Sequence, residues 1–238
     1  KILKETYGYD AFRGDQASVI DHVVSGGDAL VIMPTGAGKS LCYQIPAMMR
    51  PGVGIVVSPL IALMADQVAA LTANGVKAAF INSTLSTSEV GKLESEMRAG
   101  VYDLIYVAPE RLCKESFLSL LSQCTVALFA IDEAHCVSQW GHDFRPEYRA
   151  LSVLHERFPG VPRLALTATA DSPTRRDICE RLDLSEAEHY VGGFDRPNIR
   201  YTVVHKNKEF IQLKDWLEDR HMHESGIVYC MSRAKRER

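Results

Sequence analysis

An apolar run, Ala29-Leu30-Val31-Ile32-Met33, breaks into Pro34-Thr35-Gly36-Ala37-Gly38-Lys39-Ser40 and resumes as a glycine-free apolar stretch to Met49. This order of segments restricts the fold more than any other feature of the chain. Residues 30–33 have the length and Val/Ile content of a buried parallel strand, and residues 41–49 suit a helix. A glycine turn between strand and helix reads as a phosphate-binding loop. Gly36 and Gly38 let the backbone curl so that its N–H groups and the positive end of the next helix point at phosphate oxygens. Lys39 then supplies a charge to the β- and γ-phosphates, and Ser40 a hydroxyl to Mg2+. Thr35, Gly36, Ala37, Gly38, Lys39 and Ser40 are the expected nucleotide contacts. Met33 replaces the first glycine of the full G-x-x-x-x-G-K-[ST] pattern, so a surface turn that caps a helix stays the alternative at this point.

Around the loop the sequence alternates between two periods. Residues 54–58, 78–81, 104–107, 126–131 and 164–166 are further short apolar runs. Helix-compatible stretches lie at 60–71 and 87–98, the second opened by a Ser86-x-x-Glu89 capping box. Before the loop, Val19, Ile20, Val23 and Val24 form an amphipathic run that stops at Gly26-Gly27. Such βαβα alternation predicts an α/β fold, a parallel sheet with helices on both faces and ligands at the carboxyl ends of the strands. Polar clusters fall at those ends: Ser58, Pro109-Glu110-Arg111, Asp132-Glu133 and Thr167-Ala168-Thr169.

Gly192-Gly193 reads as a hinge, which divides the chain into residues 1–193 and 194–238. In the second part, 199–204 and 226–230 read as strands and 210–217 as a helix. Some 45 residues are too few for an independent α/β domain, so this part reads as the beginning of one.

Asp132-Glu133-Ala134-His135 follows the apolar run 126–131, about 90 residues after the phosphate loop. A carboxylate at the end of a buried strand suits Mg2+, and a second acid beside it suits the attacking water. The bland alternative is a helix N-cap. Directly behind lies Cys136-Val137-Ser138-Gln139-Trp140-Gly141-His142-Asp143-Phe144-Arg145-Pro146-Glu147-Tyr148, rich in aromatics and charges but without a regular period, which reads as a loop. Trp140 and Phe144 beside Arg145 suit stacking on unpaired bases. Composition alone leaves that reading level with one in which they pin the loop to the core. Upstream, Gln16 offers a donor and an acceptor to an adenine edge, although taken alone it also fits a solvated first-turn residue.

The net charge of -3 gives no basic excess, so nucleic-acid binding would need a local groove. Six scattered cysteines without a C-x-x-C pair read as reduced structural thiols, Cys42 and Cys230 in buried segments. No metal site is assigned to protein ligands alone. No apolar run approaches the length of a membrane span, and the first residues do not read as a basic, apolar leader. Lys1 is not a natural start, so the ends are expected to be those of a piece of a longer chain.

Together, residues 33–40, Asp132-Glu133-Ala134-His135 and Thr167-Ala168-Thr169 resemble three motifs of superfamily 2 helicases, which implies a RecA-like sheet. Tyr9-x-x-Phe12-Arg13-x-x-Gln16, the aromatic loop 138–146 and Phe194-Asp195-Arg196-Pro197-Asn198 narrow this to a resemblance to the RecQ family of DNA helicases, bacterial members above all. The resemblance implies ATP-driven translocation on single-stranded DNA and unwinding of forked DNA, 3′ to 5′, in recombination and repair. By it, Lys39 and Ser40 bind phosphate and Mg2+, Asp132 holds the metal, Glu133 activates water, and Tyr9, Arg13 and Gln16 hold adenine. His135, Trp140, His142, Phe144 and Arg145 would couple DNA to hydrolysis, and Thr167 and Thr169 would link two motor domains. Ser58, Asn82 and Arg111 are candidate DNA-backbone contacts. The resemblance also implies a cytoplasmic, nucleoid-associated protein that meets single-stranded DNA-binding protein and recombination factors, with no membrane partner.

The family's arginine finger, four-cysteine zinc subdomain and winged helix are expected beyond residue 238, and zinc only there. Residues 1–238 alone are therefore expected to bind Mg-ATP but barely hydrolyse it. Two other readings share these motifs: a DNA-stimulated ATPase that does not unwind, and a nucleotide-gated DNA-binding module. The Asp132-Glu133 pair speaks against the second, since a switch needs no water-activating carboxylate.

Overall fold

A computed structural model describes residues 1–82, 84–139, 143–193 and 199–229, in two compact units, Lys1–Phe194 and Asp195–Arg238. In the first unit seven strands form one sheet: β1 (Ala29–Ile32), β2 (Val53–Val57), β3 (Ala78–Ile81), β4 (Leu104–Val107), β5 (Val126–Ile131), β6 (Arg163–Thr167) and β7 (Glu188–Val191). Their order is β3-β4-β2-β5-β6-β1-β7, and every pairing is parallel. The α/β fold expected from the alternation is the fold observed.

The strand alternation builds two cores, one on each face. Leu30 and Ile32 of β1 join Ile55, Phe129 and Ala165 on one side, beneath the helices that carry Met97, Phe117, Leu121 and Ile178. Ala29 and Val31 point the other way, with Val56, Leu128 and Leu164, against Val19, Val23, Cys42, Tyr43 and Met64. Each central strand is thus buried on both faces, which is why it reads as a continuous apolar run. On the second face the helix Leu41–Met49 lies close on β2, and a Cβ on Gly54 would stand 2.6 Å from the Cβ of Ala47. Only glycine permits that approach.

β7 lies outside the apolar runs visible in sequence. It is an edge strand whose residues are exposed except Tyr190, so one face carries no apolar signal. At the opposite end of the sheet from the polar clusters, Arg163 Nη1 donates to the Leu182 carbonyl at 2.8 Å and its Nη2 pairs with Asp28. A buried arginine is thereby satisfied, and it ties the start of β6 to the approach to β1.

The second unit holds one helix among its described residues, Glu209–Arg220, close to the expected 210–217. No strand forms over 199–204 or 226–229, contrary to the sequence pattern. A strand is stabilised by a hydrogen-bonded neighbour and a covered face. Neither is present among the described residues, where Tyr201, Val203, Ile227 and Tyr229 are exposed. The segment 194–198 and Cys230 lie outside the described residues.

Candidate functional site

The loop after β1 carries left-handed backbone at Gly36 (φ 84°) and Gly38 (φ 79°) and feeds the helix Leu41–Met49, with Ser40 as its N-cap residue. Gly38 is doubly constrained, for a Cβ there would also meet Gln16 Nε2 at 2.4 Å. Gln16 is buried, not solvated. Its Nε2 donates to the carbonyls of Ala37 (3.0 Å) and Gly38 (3.2 Å), while its Oε1 accepts from the Arg13 N–H (2.9 Å). One side chain therefore clamps the segment 13–16 onto the phosphate loop. Tyr9, Arg13 and Gln16 line a small cleft with Gly36, Ala37 and Gly38, and half of Tyr9 is open to solvent.

Lys39 Nζ donates to the Met33 carbonyl at 3.0 Å, folded back across the loop. Burial pushes its ammonium pKa down, and attraction to Glu133 and Asp132 opposes that. Those two acids follow β5, two strands away from β1 in the sheet. Burial, and then the charge of Glu133, push the Asp132 carboxyl up to about 6. The Glu133 N–H donates to Asp132 Oδ1 at 3.0 Å, and Glu133 itself sits in left-handed backbone at φ 49°. Such a conformation is unfavourable for a glutamate and turns the chain sharply at the strand end.

His135 and Thr167 meet below this turn, with His135 Nδ1 2.9 Å from Thr167 Oγ1 and 3.3 Å from Glu133 Oε2. A carboxylate can only accept, and the Thr167 hydroxyl donates to the Thr169 carbonyl at 3.1 Å, so Nδ1 carries the proton. The motif after β5 and the motif after β6 are joined by one ring. Thr35, Glu133, His135 and Thr169 line a common cleft there, of about 410 Å³.

The other expected residues divide. Arg145 reaches this cleft region, donating from Nη1 to the Pro59 carbonyl (3.0 Å) and from Nη2 to Asp143 Oδ2 (3.1 Å). Phe144 lies under the Arg149 guanidinium, 4.9 Å from its ring centre. Trp140 and His142 lie outside the described residues. Asn82 and Arg111 line a separate, larger cleft of about 730 Å³ at the ends of β3 and β4. There Arg111 pairs with Glu94 at 2.8 Å, and Asn82 Oδ1 accepts from the Thr84 N–H and hydroxyl. Ser58 is buried at the end of β2, its hydroxyl without a hydrogen-bond partner among the described residues.

Two side chains that sequence reading did not single out belong to the site. Tyr148 is fully buried and its hydroxyl donates to the Asp132 carbonyl at 2.9 Å, bracing the acidic turn. Asp143 joins Arg145 to Cys136. Both come from an aperiodic stretch, where sequence spacing carries no information about contact.

A parallel sheet with a glycine loop after one strand and an acidic pair after another, both at the carboxyl ends of the strands, is the architecture of the helicase class. Residues 13–178 match the DEAD/DEAH box helicase family, and the chain belongs to that family. Within it, the chain is 51% identical over 237 residues to the ATP-dependent DNA helicase RecQ of Pasteurella multocida (strain Pm70), covering 100% of this chain and 37% of that relative. It is 49% identical to the ATP-dependent DNA helicase RecQ of Haemophilus influenzae, covering 100% of this chain and 38% of that relative. The resemblance to RecQ helicases thus runs the whole length of the chain, which spans well under half the length of these relatives. Among solved structures the DUF1998 helicase MrfA aligns with a TM-score of 0.72 at 19% identity, over 98% of this chain and 38% of that one. The likeness is one of fold, the RecA-like sheet of helicases. No helix among the described residues is long and apolar enough to cross a membrane.

Proposed function

We propose that the chain is the ATP-binding motor portion of a RecQ-type DNA helicase, which couples ATP hydrolysis to translocation on single-stranded DNA and duplex unwinding. The observation that carries this is the placement of the glycine loop and Lys39 after β1 and of the Asp132-Glu133 turn after β5 at the same, carboxyl, end of one parallel sheet, two strands apart. A loop that gathers phosphate and a pair of acids that serve metal and water are the two halves of a nucleotide hydrolase.

Asp132 suits Mg2+, because a carboxyl pushed up to about 6 by burial and a neighbouring acid is relieved by a bound dication. Mg2+, when bound, neutralises charge on the β- and γ-phosphates. Ser40 and Asp132 are the residues to hold it. Lys39 exchanges the Met33 carbonyl for phosphate oxygen, and Glu133 orients and deprotonates the attacking water. Tyr9 and Arg13 flank adenine while Gln16, released from one of its loop carbonyls, reads the base edge. His135 reports the state of Glu133 to Thr167 and Thr169, since its Nδ1 proton faces both Glu133 and Thr167. Trp140, His142, Phe144 and Arg145 act at single-stranded DNA, and Ser58, Asn82 and Arg111 at the DNA backbone.

By family likeness the work is 3′ to 5′ unwinding of forked DNA in recombination and repair. The protein is then cytoplasmic and nucleoid-associated, alongside single-stranded DNA-binding protein and recombination factors. Residues 1–193 form the first motor domain and 194–238 open the second. The test measures ATP turnover with and without single-stranded DNA, and strand displacement on a forked duplex, by a longer protein that contains this chain. DNA-stimulated turnover with displacement, both lost in Glu133→Gln, is the expected result. Displacement that survives Glu133→Gln contradicts the proposal, and turnover without displacement reduces it to a translocating ATPase.

A further inference from the structure

His135, Cys136 and Asp143 bring three metal-ligating atoms within 4.8 Å of one another. Cys136 Sγ lies 3.9 Å from His135 Nε2 and 3.8 Å from Asp143 Oδ2. Nitrogen, sulfur and oxygen ligands placed tetrahedrally on Zn2+, at about 2.0 to 2.3 Å from the ion, stand about 3.3 to 3.6 Å apart. Cys136 Sγ needs to close on each partner by a few tenths of an ångström, and His135 and Asp143, whose ligand atoms lie within 4.8 Å of each other, by up to about 1.4 Å, a rotation of the exposed Asp143 side chain.

The surroundings favour ligation as well. With a proton of His135 on Nδ1, directed at Glu133 Oε2 and Thr167 Oγ1, Nε2 is the ring nitrogen placed to ligate, on the side of Cys136. A carboxylate behind the far nitrogen is the usual support of a metal-bound histidine. The Arg145 N–H donates to the Cys136 carbonyl at 2.8 Å, so the backbone already draws the two ends of the segment 136–145 together. Arg145 Nη2 occupies one direction on Asp143 Oδ2, and the carboxylate keeps other lone pairs for an ion. Cys136 and His135 are buried while Asp143 is exposed, and the cleft lined by His135 and Asp143 gives an ion its way in.

We infer that His135 Nε2, Cys136 Sγ and Asp143 form a binding site for a thiophilic divalent cation, Zn2+ in particular, that is separate from the Mg2+ position at Asp132. An N, S, O donor set suits Zn2+ and not Mg2+, which takes oxygen ligands. On binding, the Cys136 thiol gives its proton to solvent, and three protein ligands leave a fourth position for water. The ion would pin the ring that joins Glu133 to Thr167 and staple the ends of the aromatic loop.

The test is a titration of the 238-residue chain with Co2+ as a spectroscopic stand-in for Zn2+, followed by Zn2+ displacement. Thiolate-to-cobalt charge-transfer absorption at one ion per chain, erased by Zn2+, is expected for the wild type. Cys179→Ser should retain it, although Cys179 Sγ lies 3.5 Å from His189 Nε2, because no third ligand joins that pair among the described residues. Cys136→Ser should abolish the band. Asp143→Asn, at an exposed position, should weaken binding by at least about tenfold, since even partners outside the ligand set are worth that much. Absence of the band in the wild type, its persistence in Cys136→Ser, or an unchanged affinity in Asp143→Asn overturns the assignment. Should Cys136→Ser lack native circular dichroism, the Asp143→Asn affinity decides.

Discussion

Asp132→Asn should stabilise the nucleotide-free chain, and the gain should depend on pH in a particular direction. Burial, and then Glu133, raise the Asp132 carboxyl from 3.8 to about 6, against the opposing effects of the Glu133 N–H and Lys39. The folded state therefore holds this proton more tightly than the unfolded state does. Well below the unfolded value of 3.8 both states are protonated and Asp132 costs nothing. As pH rises towards 6 the unfolded chain releases the proton and the folded chain does not, so stability falls through this window and stays lowered above it. A rise of this size corresponds to about 3 kcal/mol, which the partial solvent access of the side chain reduces to about 2 kcal/mol. Asparagine is neutral at every pH and its Oδ1 can still accept from the Glu133 N–H. Urea unfolding of both proteins in EDTA, from about pH 3 to about pH 8, should show little difference at the acid end and a gain of about 2 kcal/mol for the variant above about pH 6. A gain that does not change with pH, or a loss at pH 8, would refute the reasoning. Added Mg-ATP should reverse the ranking, because the charge that destabilises the free protein is the one that serves the metal.

Glu133→Gln in a protein that hydrolyses ATP should lower turnover by roughly 10² to 10⁴ while sparing Mg-ATP affinity, read from single-turnover kinetics beside equilibrium binding. Gly38→Ala places a Cβ 2.4 Å from Gln16 Nε2 at a φ of 79°, so nucleotide affinity should fall far more than the thermal midpoint of unfolding does. Ser86→Ala removes the oxygen that accepts from the Glu89 N–H in the capping box of the helix Thr87–Arg98, and should cost about 1 kcal/mol in chemical unfolding without touching nucleotide binding.

Much of the first unit was legible because its central strands are buried on both faces. The runs 104–107 and 126–131 coincide with β4 and β5, the half-buried edge strand β3 coincides with the apolar run 78–81, and the capping box at Ser86 is present as read. β7 was hidden because an exposed edge strand with only Tyr190 buried has no apolar alternation to show. In the second unit local pattern misled, since Val203 and Tyr229 have strand-forming character but are exposed, with no partner strand among the described residues. At the site, the residue types pointed to the glycine loop and the acidic turn, which the fold brings to the same end of the sheet. The clamp of Gln16 on the loop carbonyls, the brace from Tyr148 and the proximity of Cys136 to Asp143 depend on contacts across the fold, which no spacing rule encodes.

The central claim, that the loop after β1 is a Mg-ATP site governed by Lys39, is tested most directly by equilibrium titration of Mg-ATP into the 238-residue chain and its Lys39→Ala variant. A charged hydrogen-bond donor to phosphate is worth about 1.5 to 3 kcal/mol, so the variant should bind roughly ten- to a hundredfold more weakly. Wild-type chain should bind one nucleotide, dependent on Mg2+. Equal affinity in the two proteins, or binding indifferent to Mg2+, would contradict the account.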